Sequence, residues 1–218
     1  MDIDQIKTDL QDTNPQKRMK AVLELRNQDA EVAVPLLIVS MKDKEFLVRS
    51  FSAMALGKKQ NAESFAALLE MMKFDRDPNV RAEASNSISL FGAIAAPHLT
   101  LTFEQDDHWL VRRSILAAVT ELDCAEELWQ ISVLGIAGED QTVTESSIDC
   151  LGNLVHTEKK AQALTKLLSL VDHENWRVRW RTAKALGKFK DAEAKDALMK
   201  LKSDENHRVV SAVLESII

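Results

Sequence analysis

The sequence predicts an all-α fold, a right-handed α-α superhelix of seven two-helix repeats that forms a single domain over residues 1–218. Three observations support this prediction: an anchor motif recurs along the whole chain, an aliphatic residue follows each anchor at a constant distance, and helix-capping residues precede the anchors. A constant period of this length is typical of stacked helical units, each of which buries its apolar face against its neighbours.

The anchor motif is clearest at four places. They read Phe46-Leu-Val-Arg49, Pro78-Asn-Val-Arg81, Trp109-Leu-Val-Arg112 and Trp176-Arg-Val-Arg179. Weaker copies end at Arg18, Thr144 and Val210, and consecutive anchors are 31, 32, 31, 32, 35 and 31 residues apart. Seven positions after each anchor the residue is aliphatic: Leu25, Leu56, Ile88, Val119, Leu151, Leu186 and Ile217.

Each repeat consists of a first helix, an acidic turn and a second helix. In the third repeat, Asp77 and Pro78 mark the start of the second helix. Asp77 is a good N-cap, and Pro78 suits the first helical position, where its missing N–H is not needed. Val80, Ala84 and Ile88 then fall on one stripe. The second helices are predicted at 15–27, 45–57, 78–91, 108–121, 140–152, 175–187 and 206–218, and the first helices lie between them, starting near residue 3.

The anchor arginines fall on the stripe of each second helix that packs against neighbouring repeats. A cation in such a place is costly unless it is paired. Acidic turns supply partners, for example Asp75 with Asp77, or Asp106 with Asp107. We therefore predict a ladder of Arg–Asp contacts that ties one repeat to the next; ligand binding by these arginines is the alternative.

Composition excludes several classes of protein. The formal net charge of −6 disfavours nucleic-acid binding, which depends on Lys and Arg neutralising phosphates. We find no signal peptide and no transmembrane run, so we expect a cytoplasmic protein. The two cysteines, Cys124 and Cys150, fall in different helices and are expected to be reduced core thiols. The end of the last helix, Leu214 to Ile218, could pair two copies of the chain through the C-terminal repeat.

The Val-Arg anchor, the small residues that follow it and the segment Ala185-Leu186-Gly187 resemble the short HEAT repeats of the phycobilin-lyase type. The stretch from Trp176 to Gly187 carries the resemblance best. The resemblance extends over nearly the whole chain. Within this type, the chain is similar to cyanobacterial phycobilin lyase subunits, to the related phycobilisome-degradation protein and to a HEAT-repeat partner of iron–sulfur scaffold proteins. The resemblance implies the architecture strongly and the biochemical task weakly.

In related arrays the second helices line the concave face, so we expect partners to bind there. The most unusual chemistry on this face is the cluster of Arg177, Trp180, Arg181 and Lys184, in which an aromatic ring beside cations suits carboxylates. The alternative is a solvated basic face around a packed Trp. Trp109 and Trp176 stand at the starts of their helices, where each either packs against its neighbours or contacts a partner at the edge of the concave face. The partner-binding candidates are Trp109, Arg113, Glu145, Asp149, Trp176, Arg177, Trp180, Lys184 and Arg208.

Catalysis receives little support from the sequence. No residue is predicted to be catalytic or to bind a metal, because the five histidines form no zincin motif and no pair with a cysteine. His173-Glu174 is one His-Glu pair, whereas the HEAT-repeat hydroxylases bind iron through several. We therefore expect a non-catalytic adaptor that binds a protein partner, with no cofactor. The alternatives are a bilin lyase that contacts its pigment transiently, with a phycobiliprotein as partner, and a partner of an iron–sulfur scaffold protein.

Overall fold

A computed structural model describes residues 2–217 of the protein, apart from the side chain of Ile217. Over these residues it contains fourteen α-helices and no strand. The helices are α1 (Ile3–Asp9), α2 (Pro15–Glu24), α3 (Ala30–Ser40), α4 (Phe46–Gly57), α5 (Ala62–Phe74), α6 (Pro78–Ser89), α7 (Ala96–Gln105), α8 (Trp109–Thr120), α9 (Ala125–Ala137), α10 (Gln141–Asn153), α11 (Lys160–Leu168), α12 (Trp176–Leu186), α13 (Ala192–Leu201) and α14 (His207–Ile217). The predicted all-α solenoid of two-helix repeats is confirmed, and the handedness of the superhelix stays a prediction.

The helix boundaries follow the capping residues that the sequence displays. The side chains of Asn14, Asp77, Asp140 and Asn175 accept hydrogen bonds from backbone N–H groups at the starts of α2, α6, α10 and α12. The α2 helix ends three residues before the predicted position, because Leu25–Asn27 tighten into a 3₁₀ turn. The even-numbered helices are thus the predicted second helices.

The chain divides into two compact units, unit 1 up to Ala118 and unit 2 from Val119 onward. In unit 1, α4 packs against α2 and α6, while α5 packs against α3 and α7. In unit 2, α12 packs against α10 and α14, while α11 packs against α13. Each unit therefore has a layer of first helices and a layer of second helices. The prediction of one continuous domain stays a prediction.

The apolar positions of the repeat form the core between these layers. The aliphatic residues seven positions after the anchors, from Leu25 to Leu186, are all fully buried. The side chain of Ile217 and the residue Ile218, at the end of the segment predicted to pair two copies, lie outside the described residues, and the pairing stays a prediction.

Four anchor arginines form the predicted ladder. Arg49 bonds both carboxylate oxygens of Asp75, at 2.7 and 2.9 Å, and also donates to the carbonyl of Asp43 at 2.8 Å. In the other three pairs the closest Nε to carboxylate distances are 2.6 Å for Arg18–Asp43, 2.6 Å for Arg81–Asp106 and 2.7 Å for Arg179–Asp204. In each case the aspartate belongs to the turn of the following repeat. The Arg–Asp ladder is therefore confirmed at these four positions.

The ladder prediction is wrong for Arg112. Among the described residues its guanidinium finds no carboxylate; it donates to the carbonyls of Phe103 and Asp106, at 3.1 and 2.7 Å, and lies against the Phe103 ring. The physical reason is visible in the spacing. The other four arginines use an aspartate 25 or 26 residues further on, whereas those positions after Arg112 hold Ala137 and Gly138.

Candidate functional site

The unusual chemistry of unit 2 is concentrated on the exposed face of α12. Residues 177, 180, 181 and 184 follow the spacing i, i+3, i+4 and i+7, which places them on one side of the helix. The Asn175 side chain starts this helix by accepting from the N–H of Arg177 at 3.0 Å. Because α12 packs between α10 and α14, side chains of both neighbours border the same surface. We call this surface the α12 face.

Two tryptophans of the α12 face each have two cations over the ring. For Trp176, the guanidinium carbons of Arg177 and Arg208 lie 4.7 and 5.3 Å from the ring centroid. For Trp180, the guanidinium carbon of Arg181 lies at 4.5 Å and the amino nitrogen of Lys184 at 5.3 Å. Each such contact contributes about 0.5–1 kcal/mol at an exposed site. The rings therefore orient the cations as well as fill space.

The predicted cluster is therefore two clusters rather than one. The sequence places Arg177 with Trp180, whereas the structure places Arg177 over Trp176 and completes that pair with Arg208 of the next repeat. Trp180 instead receives Arg181 and Lys184 from its own helix. Contact between Trp176 and Arg208 depends on how α14 packs on α12, which sequence spacing does not specify.

Glu145 and Asp149 have an internal partner. Both lie on α10, and Arg181 reaches across to them, with closest N–O distances of 3.3 Å to Glu145 and 2.8 Å to Asp149. Partial burial raises the pKa of the Asp149 carboxyl, while the positive charge of Arg181 opposes that rise. The two acids were predicted as partner-contacting residues on their own. In the structure they neutralise Arg181 and link α10 to α12.

Three cations of the α12 face remain available to a ligand. Arg177, Lys184 and Arg208 are exposed, and within residues 2–217 none of them forms a salt bridge. Each is fixed against a tryptophan ring instead of a carboxylate. The arrangement can bind anionic groups, carboxylates above all, without first breaking an ion pair.

Trp109 and Arg113 belong to α8 and lie in unit 1. Trp109 is 42% exposed and stacks on His108, whose Nδ1 accepts the N–H of Leu110 at 3.2 Å. Arg113 is exposed one position after the anchor. The other seven candidates lie in unit 2, so the structure assembles those seven around α12 and leaves these two on a separate helix.

His173 and Cys150 have structural surroundings in the described part of the chain. No group of three or more His, Cys, Asp or Glu side chains there could hold a metal ion. The Nδ1 of His173 accepts the N–H of Asn175 at 3.0 Å, a turn-closing contact. Burial raises the pKa of the Cys150 thiol to about 11, which keeps it protonated and unreactive.

No helix in residues 2–217 combines the length and the apolar character that crossing a membrane requires.

Comparison with known structures places this fold among helical-repeat proteins. The chain is 17% identical to the CpcE–CpcF complex of phycocyanin lyase from Nostoc sp. PCC7120, with a TM-score of 0.55 over 100% of this chain and 95% of that chain. For YibA of Escherichia coli the identity is 18% and the TM-score 0.53, covering 100% and 92%. For human deoxyhypusine hydroxylase in complex with glycerol the values are 18% and 0.50, covering 99% and 94%. At these identities the likeness shows the fold alone.

The sequence itself matches a family model. No curated protein matches the sequence significantly. The model for HEAT repeats, by contrast, matches residues 3–89, 41–120 and 132–218, which together span most of the chain. The repeated anchors, the two layers of helices and this match agree, and the chain belongs to the HEAT-repeat family.

Proposed function

We propose that this protein is a non-catalytic adaptor whose α12 face binds an acidic segment of a protein partner. The observation that carries the proposal is two tryptophans that each contact two cations, of which Arg177, Lys184 and Arg208 are exposed and form no salt bridge within residues 2–217. Trp and Arg are the residue types that most often dominate the energy of protein interfaces. A helical-repeat scaffold that presents them on a rigid helix suits recognition of carboxylate-bearing side chains.

The charge of the surface indicates the class of partner. The whole chain carries −6, so a positively charged patch on it is a local departure from the average. Glu145 and Asp149 together carry two negative charges and Arg181 carries one positive charge, so with Arg177, Lys184 and Arg208 these six residues have a net charge of +2. A partner with clustered Asp or Glu side chains would be attracted to this patch and repelled by most of the remaining surface.

Affinity capture from the native organism followed by mass spectrometry tests the proposal. The bait is the parent protein, beside Arg177→Glu/Arg208→Glu and a matched double charge reversal in unit 1, Lys20→Glu/Lys58→Glu. We expect one partner to be recovered with the parent and with the unit 1 control, and to be lost with Arg177→Glu/Arg208→Glu. Recovery of that partner by Arg177→Glu/Arg208→Glu, with its helicity unchanged, would contradict the proposal.

A second candidate is action on a bilin bound to a phycobiliprotein. The observation in its favour is the same set of exposed cations beside flat rings, because tetrapyrrole propionates are carboxylates and stack on aromatic faces. The protein would then attach or remove the pigment. Incubation with phycocyanin and with its apoprotein, followed by absorbance and an assay of covalent pigment, separates the candidates. Pigment transfer or release by substoichiometric protein supports the lyase; binding without transfer supports the adaptor.

The identity of the captured protein separates the remaining alternatives. A phycobiliprotein would place the adaptor at the phycobilisome, in its assembly or its degradation. An iron–sulfur assembly protein would support the scaffold-partner alternative instead.

A further inference from the structure

Three cavities lie in a row along one edge of unit 1, where the turns join first helices to second helices. Their volumes are about 430, 310 and 410 Å³. Neighbouring cavities share lining residues: Lys42 and Asp43 belong to the first and second, and Phe74 and Asp75 to the second and third. The three cavities therefore adjoin one another, and we call them together the turn-edge groove. It shares no residue with the α12 face.

The turn-edge groove is positively charged. Its acidic ladder residues are neutralised by Arg18, Arg49 and Arg81. The other charged side chains that line it are four cations and two anions: Lys7, Lys42, Lys73 and Arg76 against Glu70 and Asp107. Lys7 also pairs with Asp4, which does not line the groove, at 4.0 Å, so the net charge of this set is +1. Within residues 2–217, Lys42 and Lys73 form no salt bridge. On a chain of net charge −6, this edge is complementary to an acidic ligand.

Large apolar side chains stand exposed between these cations. Phe74, at the end of α5, is 78% exposed, and Val39, near the end of α3, is 63% exposed. Arg76 next to Phe74 is held in place by donating to the carbonyl of Lys44 at 3.0 Å. Exposed apolar groups rimmed by charge are typical of surfaces that bind other proteins.

The spacing of the groove indicates the conformation of its ligand. Packed helices lie about 8–10 Å apart, so Lys42 and Lys73, at the ends of the neighbouring first helices α3 and α5, are expected at about that distance. A polyproline II segment advances about 9 Å per turn of three residues and presents every third side chain on one side. We propose that the turn-edge groove binds an extended segment of a partner protein that carries an acidic residue at every third position and apolar residues between them.

This surface gives the protein a second docking site, in unit 1, in addition to the α12 face of unit 2. An adaptor with two sites can hold two segments, and binding of both by one partner would raise its affinity through effective concentration.

A synthetic peptide tests the groove directly. The probe is a fluorescein-labelled (Glu-Pro-Leu)4 peptide, titrated with the full-length protein and followed by fluorescence anisotropy at low salt. We expect saturable binding, weakened about tenfold by Lys42→Glu/Lys73→Glu, because two exposed ion pairs are replaced by repulsion. Phe74→Ala should weaken binding without changing its salt dependence. A matched reversal of two exposed lysines outside the groove, Lys20→Glu/Lys58→Glu, should leave the affinity unchanged.

Three outcomes would overturn the inference. One is equal affinity for the Lys42→Glu/Lys73→Glu and Lys20→Glu/Lys58→Glu proteins. Another is no preference over a peptide of the same composition with its glutamates adjacent. The third is loss of binding only in Arg177→Glu/Arg208→Glu, which would assign the peptide to the α12 face and support the adaptor proposal alone. Circular dichroism of every variant verifies that it retains the helical fold.

Discussion

Individual anchor arginines form ion pairs that link successive repeats. Arg49 bonds Asp75 through two parallel N–H to oxygen contacts and satisfies the carbonyl of its own turn with the remaining nitrogen. The Arg49 and Asp75 side chains are 5% and 7% exposed, so water replaces neither partner. Removing one of them leaves the other charged and buried, which is more costly than losing an exposed ion pair.

We expect Arg49→Ala to lower the free energy of unfolding by about 3–5 kcal/mol. Arg112→Ala should lower it by about 1–3 kcal/mol, because this arginine has carbonyl partners only. The exposed residues Arg113 and Lys184 should each change it by no more than about 0.5 kcal/mol on replacement by Ala. Urea unfolding followed by circular dichroism measures all four. Equal decreases in the free energy of unfolding for all four variants would show that burial of the Arg–Asp pairs does not determine how much they stabilise the fold.

The ladder also predicts sensitivity to acid. The hydrogen bond from Arg179 lowers the pKa of Asp204 below its ordinary value of 3.8. A group with a lowered folded-state pKa stabilises the protein above its unfolded-state pKa, and this contribution is lost as the pH falls through the folded-state pKa. Asp204→Asn should therefore have a lower melting temperature than the parent at neutral pH and a smaller further decrease between about pH 4 and pH 2.

Melting curves across this pH range test the expectation. Asp196→Asn, which alters an exposed aspartate of α13, is the control and should follow the parent at every pH. An Asp204→Asn protein with the acid sensitivity of the parent would contradict it.

At the scale of the element, small residues set how closely second helices approach. A Cβ atom added at Gly57, the last residue of α4, would lie 2.9 Å from the Cβ and from the carbonyl oxygen of Ser87 in α6. At Gly152 in α10 the nearest atoms, the Cα and Cβ of Ala185, would be 3.2 Å away. The first contact requires the helices to separate; the second requires a shift of a few tenths of an ångström.

Gly57→Ala should therefore destabilise unit 1 by about 1–3 kcal/mol, the usual range for overpacking a close contact. Gly152→Ala should cost less. Adding Ser87→Gly to Gly57→Ala should recover only part of the loss, because the backbone carbonyl remains at 2.9 Å. Full recovery, measured by thermal unfolding, would show that the side chain alone sets the helix spacing.

Within unit 2, the contact between the fifth and sixth repeats lacks both partners of the ladder. Thr144 occupies the anchor position and donates to the carbonyls of Gly135 and Asp140. His173 occupies the position of the ladder aspartates, since its Nδ1 accepts the N–H of Asn175 as the Asp43 carboxylate accepts that of Glu45. The turn that carries His173 therefore has the same side-chain to backbone hydrogen bond as the turn that carries Asp43.

Thr144→Arg combined with His173→Asp should raise the melting temperature above that of the parent, while each single substitution lowers it by leaving a charge without its partner. The measurement is a double-mutant cycle, in which we expect a favourable coupling of about 1–3 kcal/mol. Additive effects of the two substitutions would mean that the side chains do not meet.

For the whole molecule, both proposed binding surfaces are positively charged regions on a chain whose net charge is negative. The chain has a net charge of −6, yet the α12 face and the turn-edge groove both present cations without carboxylate partners. Opposite charges attract over roughly 8–10 Å at physiological ionic strength, so such patches act mainly on partners that approach closely.

Binding of the captured partner should therefore weaken as salt rises from about 0.05 to about 0.5 M. The Arg177→Glu/Arg208→Glu protein should bind more weakly at low salt and lose less of its affinity on addition of salt. Isothermal titration at several salt concentrations tests this expectation. Parallel salt dependence of the parent and the variant would indicate that the partner does not contact these cations.

Much of the architecture could be read from local chemistry. The period of the anchors predicts two helices per repeat, and residues such as Asp77 and Asn175 predict where second helices begin. The missing ladder contact of Arg112 could also have been found, because Gly138 stands where the spacing of the other arginines requires an aspartate. These features follow from a few neighbouring residues or from a constant distance along the chain.

The arrangement of the candidate site could be predicted only in part. Spacing along α12 places Arg177, Trp180 and Lys184 on one face, which the structure confirms. It does not show that Arg208 completes the Trp176 site, nor that Arg181 is neutralised by Asp149. Those contacts join different helices, so they depend on the rotation and register of each helix against its neighbour.

The sequence by itself determined the helical repeat, its core positions and the kind of residue that links the repeats, because these properties depend on periodic burial and on pairing of buried charge. Only the tertiary structure decided which cations remain available to a partner. A lysine or arginine is neutralised or left available by the carboxylates that packing brings within about 4 Å, and residues more than thirty positions apart, such as Arg181 and Glu145, meet only after the helices stack.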